Sequence, residues 1–140
     1  MTVIVWDGST LATDKAATDG AAQWETTKAW RWNNEILSGA GPLQTILTMR
    51  EWYKDRPGNL FPSVQQGPDW CHFVVVTRNG LLRYEQGWIP IDHGWDQCAF
   101  GEGRDFAYGA MAMGATAAQA VEAANKYSVH CGLGVEEYKL

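Results

Sequence analysis

The first residues of the chain carry groups suited to nucleophilic catalysis. Thr2 follows Met1 and begins an apolar, strand-like run. After removal of Met1, Thr2 would hold both a hydroxyl nucleophile and a free α-amine, and the amine can act as the base that activates the hydroxyl. Threonine is small enough for ordinary removal of the methionine before it. The competing interpretation is that Thr2 only begins a strand.

A predicted hairpin positions Thr2 relative to the acidic residue at its far end. The pattern predicts a strand from Thr2 to Trp6, a tight Asp7-Gly8 turn with positive φ at both residues, and a second strand from Ser9 to Asp14. Residues Lys28 to Trp32 alternate between two faces, which predicts a further strand that begins at Lys28. An Asp and a Lys at strand ends are suited to an ion pair.

Two glycines lie at a predicted junction between a strand and a helix. Glu35–Ser38 is predicted to be a short strand, and helical spacing of apolar residues predicts a helix over 42–54 with Pro42 at its first position. A backbone N–H of Gly39 or Gly41, near a helix N-terminus, is suited to stabilise a developing oxyanion. A tight turn that needs glycine explains the same residues.

The rest of the chain predicts a mixture of strands and helices. It comprises a loop with a short strand over 15–27, a connector Arg56–Asp69, strands Cys71–Thr77 and Leu81–Gln86 around a turn at 78–80, extended pieces over 87–91, helices Arg104–Gly114 and Thr116–Tyr127, and a last strand Gly132–Leu140. This order is typical of an α+β layered domain. The length of 140 residues predicts one domain, 1–140.

Composition narrows the classes of function. The formal net charge of −5 disfavours nucleic acid as a partner, because phosphate binding needs clustered Lys and Arg. No apolar run approaches the roughly 20 residues that span a bilayer, and no signal peptide is visible, so we expect a cytoplasmic protein. The three cysteines, Cys71, Cys98 and Cys131, have no disulfide spacing and are predicted to be reduced, buried thiols.

Other groupings of reactive residues carry less weight. Asp92-His93-Gly94-Trp95-Asp96 contains metal-binding residue types, and Cys71-His72 and His130-Cys131 resemble catalytic dyads. None has a recognised ligand spacing or a third partner in sequence. Loop carboxylates and partly buried histidines are the simpler interpretation, so no metal site is predicted.

Several of these segments resemble the proteasome β-subunits and their bacterial relatives, the HslV peptidases. The resemblance includes the opening residues through Asp14, the Thr27-Lys28-Ala29-Trp30 segment, the Ala99–Gly103 loop with the helices after it, and His130-Cys131-Gly132. It covers roughly two thirds of the chain. It implies the four-layer αββα sandwich of N-terminal-nucleophile (Ntn) hydrolases, in a compact version with a shortened first helical layer.

The resemblance also implies roles for individual residues. Thr2 would be the nucleophile of a threonine-type peptidase or amidohydrolase, Lys28 would lower the proton affinity of its hydroxyl, and Asp14 would orient Lys28. Gly39 or Gly41 would supply the oxyanion donor, and Ser128 stands where the family has an acidic residue in its last loop. This chemistry needs no metal or cofactor.

Two positions depart from the family pattern, and they keep a second hypothesis open. Glu102 lies where the family has a serine near the nucleophile and would add negative charge, while Ser128 removes an orienting carboxylate. Thr2 to Asp14 is also about three residues shorter than the family spacing. The alternative function is therefore a catalytically inactive relative that acts as a self-assembling binding or scaffold protein.

The resemblance extends to partners and origin. It implies a peptide or amide substrate and a homo-oligomer that encloses its sites, and it leaves open an unfoldase or host-protein partner. Compact members of this kind resemble proteins encoded by bacteriophages or prophages, which would place this one in the bacterial host cytoplasm.

Overall fold

The computed structural model describes residues 2–62 and 71–140, and these residues form two large sheets and one small hairpin. The first sheet has the order β10-β1-β2-β11. The second has the order β5-β6-β7-β8-β9, and β3 pairs with β4 alone. The strands are β1 Ile4–Trp6, β2 Leu11–Asp14, β3 Ala16–Asp19, β4 Ala22–Glu25, β5 Ala29–Trp32, β6 Glu35–Ala40, β7 His72–Thr77, β8 Gly80–Tyr84, β9 Ile91–Gly94, β10 Cys98–Phe100 and β11 Val135–Tyr138.

Alternation of apolar side chains along the strands builds four layers. Val3 and Val5 pack against the helices α2 Arg104–Ala112 and α3 Ala117–Tyr127, whereas Ile4 and Trp6 of the same run face the second sheet. On the second sheet, β7 also contributes to both sides, because Val74 and Val76 join the core between the sheets, and Phe73 and Val75 pack on the helix α1 Leu43–Lys54. Period-2 alternation thus produces the predicted α+β, αββα arrangement.

The first helical layer is short, as predicted. Among the described residues it holds α1 and a 3-10 helix, Arg56–Gly58. Pro42 was expected at the first helical position but lies at the N-cap, with an extended ψ of 131°. Part of the predicted connector Arg56–Asp69 lies outside the described residues. No helix of the described chain is long and apolar enough to cross a membrane.

The first hairpin is confirmed, but its turn differs from the prediction. Trp6 pairs with Leu11, so the loop holds four residues rather than two, and of the two predicted turn residues only Gly8 has a positive φ. The Asp7 carboxylate explains the wider loop, since it accepts hydrogen bonds from the N–H groups of Ser9 and Thr10. Its other oxygen accepts from the N–H of Ala117, which ties the hairpin to the start of α3.

Other predicted elements are present with shifted ends. Residues 15–27 hold two paired strands, β3 and β4, instead of one. The predicted strand Leu81–Gln86 is observed as β8, Arg104–Gly114 as α2, and Gly132–Leu140 as β11. Strands β9 and β10 were not predicted, because each is only three or four residues long. In addition, the partner of β10 is β1, which is distant in sequence. Thr116 is the N-cap of α3 and forms a capping box with Gln119.

The three cysteines are free and buried, as predicted. Burial raises the pKa of Cys71 and of Cys98 to about 12, from an ordinary value of 9.0. We therefore expect the thiolate fraction of each at pH 8 to be about 1000-fold lower than in the unfolded chain, so alkylation by iodoacetamide should require unfolding.

The same shift makes stability depend on pH. A raised thiol pKa stabilises the folded state below pH 9, and this contribution is lost as pH rises from 9 towards 12. Urea unfolding at pH 7.5, 9 and 10.5 should therefore show a steeper loss for the wild type than for Cys71→Ala. Parallel losses in the two proteins would contradict this expectation.

Candidate active site

The side chains of Thr2 and Lys28 meet at one carboxylate oxygen. Asp14, at the end of β2, has no solvent-exposed surface, and its Oδ1 lies 2.7 Å from Lys28 Nζ. The same oxygen accepts a hydrogen bond from the Val3 N–H at 3.1 Å and a long one from Thr2 Oγ1 at 3.5 Å. The sequence therefore brings a hydroxyl, an ammonium and a carboxylate together in one buried cluster.

Lys28 is held in this cluster by its neighbours along the chain. It directly precedes β5, and Ser38 of the adjacent strand donates its hydroxyl to the Lys28 carbonyl at 2.7 Å. Burial lowers the pKa of Lys28 below its ordinary value of 10.5, and the nearby charge of Asp14 opposes that shift. A buried ammonium with a lowered pKa is well placed to stabilise negative charge on a neighbouring oxygen.

The last loop contributes to the cluster through its backbone. The Gly132 N–H donates to Asp14 Oδ2 at 3.2 Å, and the Ala16 N–H reaches the same oxygen at 3.4 Å. Ser128, the candidate site residue expected in this loop, makes other contacts. Ser128 ends α3, its hydroxyl accepts from the His130 N–H at 3.2 Å, and its side chain hydrogen-bonds the Cys131 thiol. These contacts organise the last loop.

Glu102 was expected to add negative charge beside the nucleophile. Its carboxylate lies 3.0 Å from His130 Nε2, and about half of each side chain is exposed. The Glu102 charge therefore lies at the solvated surface, beside His130. The backbone on either side of Glu102 contacts the candidate nucleophile instead, since the Gly103 N–H donates to the Thr2 carbonyl at 3.2 Å.

Gly101 packs directly against Thr2. A Cβ at Gly101 would lie 2.2 Å from the Thr2 carbonyl oxygen, and its φ of +96° is in the region that favours glycine. This close approach fixes the position of the Thr2 backbone. The signal for it was present in the sequence as the Gly101-Glu102-Gly103 segment, which the resemblance identified only as a loop.

The structure separates the two candidate oxyanion donors. Gly39 lies inside β6, paired with Phe73, and a Cβ there would meet the Ile46 side chain at 2.7 Å. Gly41 has a φ of +134° in the bend before α1. It lines a cavity of about 200 Å³ together with Thr2 and Lys28. Gly41 is thus the glycine beside the cluster.

This 200 Å³ cavity is mainly apolar, and Thr2 and Lys28 form its polar end. Its remaining lining comes from the β3 and β4 hairpin and the start of α1: Ala16, Ala17, Thr18, Trp24, Thr26, Pro42, Leu43 and Ile46. A small, largely apolar cavity that ends at a nucleophile and a few polar groups has the form of a binding site for one side chain.

Comparison with known proteins supports the fold. No family model and no curated protein matches the chain. HslV from Trypanosoma brucei superposes with a TM-score of 0.72 at 17% identity, covering 98% of this chain and 97% of the other. BPH from Thiobacillus denitrificans gives a TM-score of 0.74 at 15% identity, covering 99% and 96%.

A further structure of Thiobacillus denitrificans BPH, in complex with epoxomicin, matches with a TM-score of 0.70 at 14% identity and covers 99% of this chain and 97% of the other. The similarity extends over almost the whole chain in each case. At these identities the likeness establishes architecture. The chain has the four-layer αββα sandwich fold of HslV and BPH.

Proposed function

We propose that this protein is a threonine-type peptidase or amidohydrolase in which Thr2, exposed as the N-terminal residue by removal of Met1, is the nucleophile. The observation that carries the proposal is the convergence of Thr2 Oγ1 and Lys28 Nζ on the buried Oδ1 of Asp14. Taking a Lys–Asp pair out of water costs free energy that apolar residues of similar volume would avoid. Its retention beside a hydroxyl favours a chemical role over the inactive scaffold.

Each group then has a defined part in the reaction. Thr2 Oγ1 attacks the carbonyl carbon of the substrate, and its proton passes through the Thr2 α-amine to the leaving nitrogen as the C–N bond breaks. The product is an ester on Thr2 and a free amine. Water then hydrolyses the ester, with the α-amine as base, and restores the hydroxyl.

Charge stabilisation comes from the fixed groups around Thr2. Lys28 lowers the proton affinity of the hydroxyl, and Asp14 orients Lys28, supported by the N–H groups of Val3 and Gly132. The Gly41 N–H is the proposed oxyanion donor, since Gly41 adjoins both Thr2 and the start of a helix. The 200 Å³ cavity would hold the side chain on the acyl side of the bond.

Other expectations remain predictions from the resemblance. They are the homo-oligomer, an unfoldase or host-protein partner, bacteriophage or prophage origin, and a place in the cytoplasm. Several large apolar side chains of the α2 and α3 layer are exposed, including Phe106, Met113 and Tyr127, which is consistent with self-association.

Covalent labelling tests the proposal directly. An epoxyketone such as epoxomicin needs both the hydroxyl and the free amine of an N-terminal threonine, so we expect intact-mass analysis to show loss of Met1 and one added inhibitor. A peptide map should place the adduct on Thr2. Labelling should disappear in Thr2→Ala and weaken in Lys28→Ala. Retention of Met1, or labelling that persists in Thr2→Ala, would exclude this mechanism.

A further inference from the structure

A second, larger cavity adjoins the candidate active site. Its volume is about 540 Å³, within the range of small-molecule sites. Gly41 lines both cavities, and Gly101, which packs against Thr2, lines the second. The 540 Å³ cavity is therefore the adjoining space for the leaving group, if the acyl side chain occupies the 200 Å³ cavity as in the proposed function.

Four nitrogen-bearing side chains come together in this larger cavity from different elements. His72 is on β7, Arg83 on β8, His93 on β9 and Arg104 at the start of α2. Three of them lie around Phe100, whose ring is 6.1 Å from the His72 ring, 5.6 Å from the His93 ring and 5.6 Å from the Arg83 guanidinium carbon. The cavity thus has an aromatic floor and a basic rim.

Two of these side chains have a buried nitrogen that lacks a hydrogen-bond partner among the described residues. The atoms are Arg83 Nε and His93 Nε2. Unpaired buried polar atoms are destabilising, and two around one cavity indicate a site that a polar ligand completes.

The two arginines are the groups of this cavity that would bind an anion, and nearby carboxylates offset part of their charge. Glu85 lies 3.3 Å from His72 Nδ1 and 3.4 Å from Arg83 Nη1 and partly offsets the positive charge. Glu102 is also part of the lining and is paired with His130. Burial lowers the pKa of His72, with Arg83 and Arg104 acting in the same direction and Glu85 against it.

We propose that this cavity binds a carboxylate carried by the leaving-group side of the substrate, so that the preferred substrates are peptides or amides with a free carboxylate close after the scissile bond. The inference rests on the proposed function for the direction of the substrate. Arg83 and Arg104 bind the carboxylate, and the aliphatic part of the leaving group packs on Phe100. Charge-assisted hydrogen bonds to guanidinium groups give this interaction its strength.

Binding to the full-length Thr2→Ala protein tests the site without turnover. The probes are acetyl-Ala-Ala with a free carboxylate and the same dipeptide with a C-terminal amide, titrated by calorimetry and by the NMR signals of His72 and His93. We expect the carboxylate form to bind at least about tenfold more tightly, the effect of one charge-assisted hydrogen bond. Equal affinities would overturn the proposal.

Variants show which residues produce the preference for the carboxylate. Arg83→Gln and the more exposed Arg104→Gln should each reduce the carboxylate preference to about threefold or less, and Glu85→Gln should increase it. Arg50→Gln is the matched control, because Arg50 lies on α1 over Trp30, in a different layer. An unchanged preference in both the Arg83 and the Arg104 variant would refute the assignment.

Two further measurements distinguish a substrate carboxylate from free phosphate as the ligand, and the carboxylate site from the peptidase activity. Inorganic phosphate that binds more tightly than the carboxylate dipeptide would overturn the assignment to a substrate carboxylate. Wild-type protein that binds the dipeptide but hydrolyses no peptide would sustain this site and refute the peptidase. Hydrolysis with no preference between free and amidated leaving groups would refute this site and sustain the peptidase.

Discussion

Thr2→Ala is expected to lower kcat for hydrolysis of a fluorogenic peptide by on the order of 10⁴-fold or more, since removal of a nucleophile leaves only the contribution of binding and oxyanion stabilisation. Stability should change little, because the Thr2 hydroxyl makes only a long 3.5 Å hydrogen bond to Asp14. The substrates should be short peptides with an apolar residue just before the scissile bond, because the 200 Å³ cavity is largely apolar.

Thr2→Ser is the matched control for this experiment. Serine keeps the hydroxyl and the α-amine, so it should retain activity within about tenfold of the wild type. Thermal unfolding of all three proteins shows whether a loss of rate reflects loss of the fold. Near-wild-type hydrolysis by Thr2→Ala would place the nucleophile elsewhere in the chain.

Lys28→Met is expected to destabilise the protein by about 3–5 kcal/mol, because it leaves the fully buried Asp14 carboxylate without its cation. Urea unfolding at pH 7 measures this loss. Methionine has a side chain similar in length to that of lysine but without its charge. The loss of charge therefore accounts for most of the change in the free energy of unfolding. The rate of hydrolysis should also fall, since the hydroxyl of Thr2 loses the positive charge beside it.

A double-mutant cycle with Asp14→Asn separates the pair from its surroundings. The Asp14→Asn/Lys28→Met protein should be more stable than the sum of the single changes by about 1–3 kcal/mol, the usual coupling of residues in direct contact. Lys15→Met serves as the surface control, because Lys15 pairs with the solvated Glu25 and should contribute little. Additive effects at positions 14 and 28 would show that the pair does not act as a unit.

Local pattern accounts for much of the fold. Alternation in Val3–Trp6 and in β7 assigns each side chain to one of two cores, and Thr116 with Gln119 marks the start of α3. These features depend on neighbours a few residues apart, so the sequence predicts them well. The ends of elements were less certain, because polar contacts such as the Asp7 turn compete with strand pairing.

The sequence by itself determined the candidate nucleophile, its lysine and its carboxylate, together with the strands that carry them. Only the tertiary structure decided that the Gly132 N–H, 118 residues away, donates to Asp14, that Gly41 rather than Gly39 adjoins Thr2, and that His72, Arg83 and His93 share a cavity. The physical reason is that each of these contacts depends on how the two sheets and the last loop pack. No spacing along the chain encodes that packing.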